Sequence, residues 1–220
     1  MTSPGPRPDP TRLAAESLAA GDPTGWFERL YVQAGAGTAV VPWDVPEPSR
    51  YLAEWARRGA VPAAGRRALV IGCGLGRDAE FLAGLGLTVT AFDISATAVR
   101  TARERHPDSP VTYVVADLLD PPDAWRRAFD LVVESNNVQA LPEPVRGRAI
   151  AAVAPMVAPG GTLLVIAAAT APAHEGPPWP LTRAEVDALG AGLTPVAVEH
   201  LSDARDPRMA RWRAEFRAAG

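Results

Sequence analysis

Short, wholly apolar runs alternate with longer segments of helical period along most of this chain. Ala68-Leu69-Val70-Ile71 is such a run; it ends in Gly72-Cys73-Gly74-Leu75-Gly76, and Asp78 to Leu85 then follows a helical pattern. A second strand, Leu87 to Phe92, ends at Asp93, with Ser95 placed to cap a helix reaching about Arg105. A third, Val111 to Val115, leads to Asp117. A fourth, Phe129 to Val133, leads to Glu134-Ser135-Asn136-Asn137, after which Glu143 to Val157 is helical in pattern. Pro159-Gly160-Gly161 then turns the chain into a fifth strand, Thr162 to Ala168. Strands that are apolar throughout are buried on both faces, so this order predicts an α/β protein with a mostly parallel, doubly wound sheet between helices.

The flanks differ. Leu181 to Leu189 is helical, and Leu193 to His200 and Met209 to Phe216 read as strands joined by the turn-like Ser202 to Pro207. They predict a C-terminal antiparallel hairpin and seven strands in all. The first ten residues read as a disordered tail and Thr11 to Ala20 as a short Ala/Leu helix. The Trp- and Pro-rich stretch Gly25 to Tyr51 shows no sustained period and reads as a lid or binding loop leading into a helix near Ser49 to Arg58. Residues 1–58 are thus expected to be tail and helical lid, and residues 59–220 the sheet domain.

Composition narrows the function. At 220 residues and 47% hydrophobic content the chain suits one domain. A net charge of −3 with scattered basic residues, all of them Arg, gives no footprint for nucleic acid. Cys73 is the single cysteine, which rules out an internal disulfide or a multi-cysteine zinc cluster and suits a reducing cytoplasm. The N-terminus lacks the order of a secretory signal, and no apolar run is long enough for a membrane span. Monomer and homodimer remain open.

Open parallel sheets bind ligands outside the carboxyl ends of their strands, and polar groups gather there in this sequence. Gly72, Gly74 and Gly76 allow a sharp turn and close approach of backbone to a ligand, although such a turn also occurs for structural reasons alone. A carboxylate at Asp93 can accept two hydroxyl protons from a ribose. A nicotinamide dinucleotide fingerprint would place its third glycine at position 77, which is Arg77, so that cofactor is disfavoured. Asp117 is either an acceptor for an adenine amino group, with Leu118 against the base, or a turn residue. Ser135, Asn136 and Asn137 face a ligand or form an ordinary turn.

Together, Val70-Ile71-Gly72-Cys73-Gly74-Leu75-Gly76, Phe92-Asp93-Ile94-Ser95, Ala116-Asp117 and Pro159-Gly160-Gly161 resemble a class I S-adenosylmethionine-dependent methyltransferase with a Rossmann-like fold. The resemblance implies that the glycine turn, Cys73 included, holds the amino-acid end of S-adenosylmethionine, Asp93 and Ile94 the ribose, and Asp117 the adenine. Pro42-Trp43-Asp44, Ala140-Leu141-Pro142-Glu143-Pro144-Val145-Arg146 and Gly176-Pro177-Pro178-Trp179 are similar to the thiopurine S-methyltransferase and halide/thiol methyltransferase superfamily. This implies that Trp26 and Trp43 contact the cofactor and that Arg146 and Trp179 border a small-molecule acceptor, while the place of Ser135, Asn136 and Asn137 after the fourth strand assigns Ser135 to the cofactor and the two Asn to the acceptor. The chain departs from that pattern at Val45-Pro46-Glu47-Pro48 and at Asn136-Asn137-Val138-Gln139, both at the expected pocket.

Methyl transfer is an in-line displacement, so alignment and exclusion of water are the main tasks. A thiol or other soft nucleophile needs no strong base and is the first expectation for the acceptor. An N- or O-methyltransferase of a specialised metabolite is the alternative within enzymes, and a non-catalytic S-adenosylmethionine-binding module lies outside them. His174, Arg146 and Glu134 are the candidate catalytic groups, with His174 the one histidine near the expected pocket. Cys73 is expected to be a packed residue rather than a nucleophile.

Overall fold

The computed structural model describes residues 10–143, 145–170, 176–202 and 210–220. The expected disordered tail therefore falls almost wholly outside the described residues, as does His174.

Seven strands form one sheet in the order β3-β2-β1-β4-β5-β7-β6. Strands β1 (Arg67–Ile71), β2 (Thr88–Asp93), β3 (Thr112–Val115), β4 (Phe129–Ser135) and β5 (Val157–Ala168) are parallel. β6 (Thr194–Leu201) and β7 (Arg211–Arg217) form the antiparallel hairpin beside β5. Alternation along β1 explains the double winding. Leu69 and Ile71 pack on one face with Ile150 and Val153 of α6 (Val145–Val153) and Val186 and Leu189 of α7 (Arg183–Leu189). Ala68 and Val70 pack on the other, with Leu52 of α3 (Arg50–Trp55), Leu82 of α4 (Arg77–Gly84) and Val99 of α5 (Ala96–Arg105).

The helix starts carry their expected signals. Ser95 Oγ accepts the Ala98 N–H at 2.9 Å, and Thr182 with Glu185 forms a reciprocal capping box on α7.

Three expectations are corrected. The predicted turn at Pro159-Gly160-Gly161 lies inside a longer strand, because β5 already pairs with β4 at Val157, where the register slips between Phe129 and Leu131. A Cβ at Gly161 would stand 2.9 Å from the Phe129 carbonyl oxygen, so glycine lets the two strands stay close through this irregularity. The helix expected to reach Val157 ends at Val153, and a single 3-10 turn over Ala154–Met156, with Pro155 in it, precedes the strand. Finally, the stretch without a sustained period contains an eleven-residue helix, α2 (Gly25–Gly35). With α1 (Pro10–Ala19) it forms a separate apolar cluster of Leu13, Trp26, Leu30 and Tyr31 that packs onto Ala98 of α5. Among the described residues no helix is long and apolar enough to cross a membrane.

Candidate active site

A cleft of about 880 Å³ opens over the carboxyl ends of β1, β2 and β4, roofed by the N-terminal segment. Three polar attachments hold that roof. The Glu28 carboxylate of α2 accepts Ser95 Oγ at 2.6 Å, Thr97 Oγ1 at 2.6 Å and the Thr97 N–H at 3.1 Å, at the start of α5 where free amides favour an anion. Both carboxylate oxygens of Asp44 take the fork of Arg105, at 2.7 and 2.9 Å. The buried Asp78 accepts the Ser49 N–H at 2.8 Å.

The glycine turn is tied to the end of β2. Asp93 Oδ2 accepts the Gly74 N–H and Oδ1 the Ser95 N–H, both at 2.9 Å. Burial pushes this carboxyl up to about 6 against the pull of those backbone donors, and the charge of Glu28 adds to the rise. Each oxygen keeps a lone pair for a ligand. Gly72 and Gly74 have φ of 57° and 53°. A Cβ on Gly72 would overlap Asn137 Oδ1 at 1.7 Å, and one on Gly74 would come within 3.0 Å of the Tyr31 hydroxyl. The turn is thus a backbone cradle that side chains would fill.

Gly72, Cys73, Gly74, Asp93, Ile94, Asp117, Leu118, Ser135, Asn136, Asn137, Trp26 and Trp43 all line the cleft. Gly76 stands behind it, at the cap of α4 with φ of 97°, under the Tyr113 hydroxyl. Asp117 Oδ1 accepts the Leu119 N–H at 2.8 Å, so one oxygen serves the turn while the residue stays on the wall. Burial raises the Cys73 thiol well above its ordinary range, and it faces the carbonyl of Gly74, the setting of an inert packed residue. Trp43 meets Trp26 edge-on with ring centroids 6.2 Å apart and donates its indole N–H to the Tyr31 hydroxyl at 2.7 Å.

The expected acceptor residues separate. Asn137 is a brace: its side-chain amide donates to the Ile71 carbonyl at 2.6 Å, joining the ends of β1 and β4. Asn136 takes the left-handed φ of 64° that Asn tolerates and stays on the cleft wall. Arg146 and Trp179 do not line the cleft. Arg146 is buried, donating to the Leu141 carbonyl at 2.9 Å and Glu185 at 3.1 Å with Trp179 against it, while the Trp179 N–H donates to the carbonyl of Gln139, which does line the cleft. These two support the wall from behind. Glu134 is also behind it, fully buried, with Oε1 accepting the N–H groups of Asn137 and Val138 at 2.7 and 3.0 Å and Oε2 without a partner among the described residues. Burial pushes its carboxyl up to about 7, against those two donors.

His174 was the histidine expected near the pocket; the described histidine that lines the cleft is His106. It follows α5, which runs away from the strand ends, so it lies roughly 15 Å along the helix from Ser95 at 1.5 Å rise per residue. Residues missed in the sequence are Glu28, Tyr31 and Arg211. Trp26-Leu30-Ala34 and Phe27-Tyr31 at four-residue spacing carried the helical signal for the first two, masked by Gly25, Gly35 and Gly37.

The comparisons agree with this architecture. Residues 68–161 match the model of the methyltransferase domain family. A probable thiol methyltransferase 2 of Arabidopsis thaliana is 28% identical over 193 residues, 87% of this chain and 79% of that protein. A ubiquinone biosynthesis O-methyltransferase of Thiobacillus denitrificans is 36% identical over 102 residues, 46% of this chain; the match spans less than half of that protein, 43%. The N-methyltransferase NodS of Bradyrhizobium japonicum, solved with S-adenosylhomocysteine, superposes with a TM-score of 0.70 at 22% identity, covering 88% of this chain and all of that one. Fold and family matches together make this protein an S-adenosylmethionine-dependent methyltransferase with a Rossmann-like sheet.

Proposed function

We propose that the protein methylates a small-molecule acceptor, with a thiol or another soft nucleophile as the receiving atom, and that the cleft over β1, β2 and β4 binds both substrates. The observation that carries this is the pairing of a side-chain-free turn at Gly72 and Gly74 with a buried carboxylate at Asp93, in one cleft of about 880 Å³. In this reading the turn receives the amino-acid end of the cofactor and Asp93 the two ribose hydroxyls. Asp117 and Leu118 border the adenine, and Trp26 and Trp43 close over the ligand from the N-terminal lid. S-adenosylmethionine, when bound, supplies an electrophilic methyl group on a sulfonium whose departure needs no proton.

The protein's share of the work is alignment and exclusion of water. Trp26, Phe27, Trp43 and Pro178 give the cleft apolar walls, and the attachments at Glu28, Asp44 and Asp78 keep the roof in place. No histidine among the described residues stands at the strand-end edge, and Glu134 is turned away from the cleft. The lack of a histidine at that edge among the described residues favours an acceptor that is already nucleophilic, and the Arabidopsis relative is named a thiol methyltransferase.

Calorimetric titration with S-adenosylmethionine, S-adenosylhomocysteine and NADH in parallel tests the cofactor assignment. Micromolar affinity for the first two alone is expected, and binding of NADH alone overturns it. Transfer of a labelled methyl group to thiols, amines and phenols then tests the acceptor; turnover confined to amines or phenols replaces the thiol reading.

A further inference from the structure

The turn that follows β4 hangs from one buried side chain. Glu134 lies in register with Ile71 of β1 on one side and Val165 of β5 on the other, and it is wholly buried. Its Oε1 accepts the N–H groups of Asn137 at 2.7 Å and Val138 at 3.0 Å, which lead into a single 3-10 turn over Val138–Ala140. The turn is pinned outward from there. The Asn137 amide donates to the Ile71 carbonyl at 2.6 Å, Gln139 Oε1 accepts the Ala168 N–H at 2.5 Å, and the Gln139 carbonyl accepts the Trp179 N–H at 2.7 Å. Asn136, Asn137, Gln139, Ala140 and Leu141 line the cleft, whereas Glu134 does not.

The two buried carboxyls at the strand ends are served differently by the backbone. Asp93 receives an N–H on each oxygen, which suits an ion whose charge is shared by both. Glu134 receives both donors on Oε1, and Oε2 has no partner among the described residues. That pattern suits the neutral acid, with the carbonyl oxygen taking the two N–H groups and the hydroxyl on the bare side. The ion would leave a bare anionic oxygen beside Ile71 and Val165. Among the described residues no cation answers it. Arg146 of α6 is held by the Leu141 carbonyl and by Glu185 of α7 at 3.1 Å, and Glu143, Arg148, Arg183 and Asp187 are exposed. Asp93 and Asp117 line the cleft, from which Glu134 is excluded. Burial is the leading cause of the raised carboxyl, opposed only by the two backbone donors.

We infer that Glu134 is a positioning residue: as the neutral acid it holds the turn that forms the acceptor side of the cleft, and its ionisation unsettles that turn. This rests on the proposed methyltransferase cleft and adds a control on its acceptor wall that acts through Asn137 and Val138, without contact between Glu134 and either substrate.

The test is a nuclear magnetic resonance titration of the full chain, labelled with nitrogen-15, from pH 5 to 8.5. The Asn137 and Val138 amide signals should move together with a midpoint near 7, and stay still in Glu134→Gln, which keeps the accepting oxygen and cannot ionise. Exchange of the Ala140 and Leu141 amides, which close the turn, should be several-fold faster than in Glu134→Gln at pH 8 and equal at pH 5.5. Denaturant melts give the sign independently. The folded carboxyl titrates above its ordinary value of 4.5, so the folding constant of the parent relative to Glu134→Gln should fall by up to about tenfold per pH unit as pH rises toward 7, then level. If the variant does not fold, the Glu134 carboxyl carbon is followed in carbon-13-labelled parent protein, where a midpoint near 7 supports the assignment and one in the ordinary range overturns it. Amides that do not titrate in the parent, or that titrate equally in a folded Glu134→Gln, also overturn it. Failure of S-adenosylhomocysteine to bind the parent overturns the cleft assignment and leaves the Glu134 titration to be judged by itself.

Discussion

The two ends of the cleft are built by different means. At the glycine end, the functional groups come from the tips of adjacent parallel strands and are braced by backbone: Gly74 to Asp93, Cys73 to Phe92, Asn137 to Ile71. On the walls proposed for the acceptor they come from segments far apart in sequence, including Arg50, Gln139, Pro178 and Arg211. One end is thus fixed by the geometry of the sheet, whereas the other can change residue by residue with the sheet intact. This is how one architecture serves many acceptors with a single cofactor.

Substitutions at the two ends should separate accordingly. The largest effect is expected from Gly72→Ala, where a left-handed φ and a 1.7 Å overlap with Asn137 Oδ1 coincide. A loss of about 2–4 kcal/mol in unfolding free energy is expected from denaturant melts, with cofactor binding lost too. A wild-type melt would mean that the brace between β1 and β4 is soft. Asp93→Ala should weaken S-adenosylhomocysteine by about 1.5–3 kcal/mol in calorimetry.

The pH dependence sharpens that case. Asp93 must be ionised to accept two hydroxyl protons, and its carboxyl titrates at about 6 in the free protein. Affinity should be flat above that pH and fall as pH drops through it, by up to about tenfold per unit. A flat profile down to pH 4.5 removes the ribose assignment.

Behind the proposed acceptor wall, Arg146→Ala removes the guanidinium from the mostly buried Glu185, which keeps only its bonds to Thr182, and removes the support of Leu141. Thermal or chemical melts should show about 1–3 kcal/mol of destabilisation with cofactor affinity unchanged. A raised acceptor KM at unaltered stability would return Arg146 to the substrate. The smallest effect belongs to Tyr31→Phe. Trp43 already donates to the Tyr31 oxygen, so the phenolic proton is left for an acceptor at the glycine turn. S-adenosylhomocysteine should bind about 0.5–1.5 kcal/mol more weakly, while methylthioadenosine, which lacks the amino-acid end, binds unchanged.

Legibility in the sequence followed the same division. The strand ends were readable because a fully buried parallel strand is a continuous apolar run and its last residues line the cleft, as at Ile71-Gly72 and Phe92-Asp93. Asn137 was placed at the right edge, but its role was not legible, since only the folded chain puts its amide against the Ile71 carbonyl. Arg146 carried a family pattern yet proved to be spent on Glu185, a partner thirty-nine residues away. Arg211 carried no signal, because nothing local distinguishes an arginine that lines the cleft from Arg213, two residues on, which is paired with two carboxylates. Helix α2 was hidden by its glycines.

Ser95 has a double attachment: its backbone N–H holds Asp93, and its hydroxyl donates to Glu28 of α2 while accepting from Ala98. The consequence concerns traffic. A ligand resting on Asp93 and a helix docked through Glu28 share one footing, so undocking of the helix loosens the ligand and an occupied Asp93 steadies the helix.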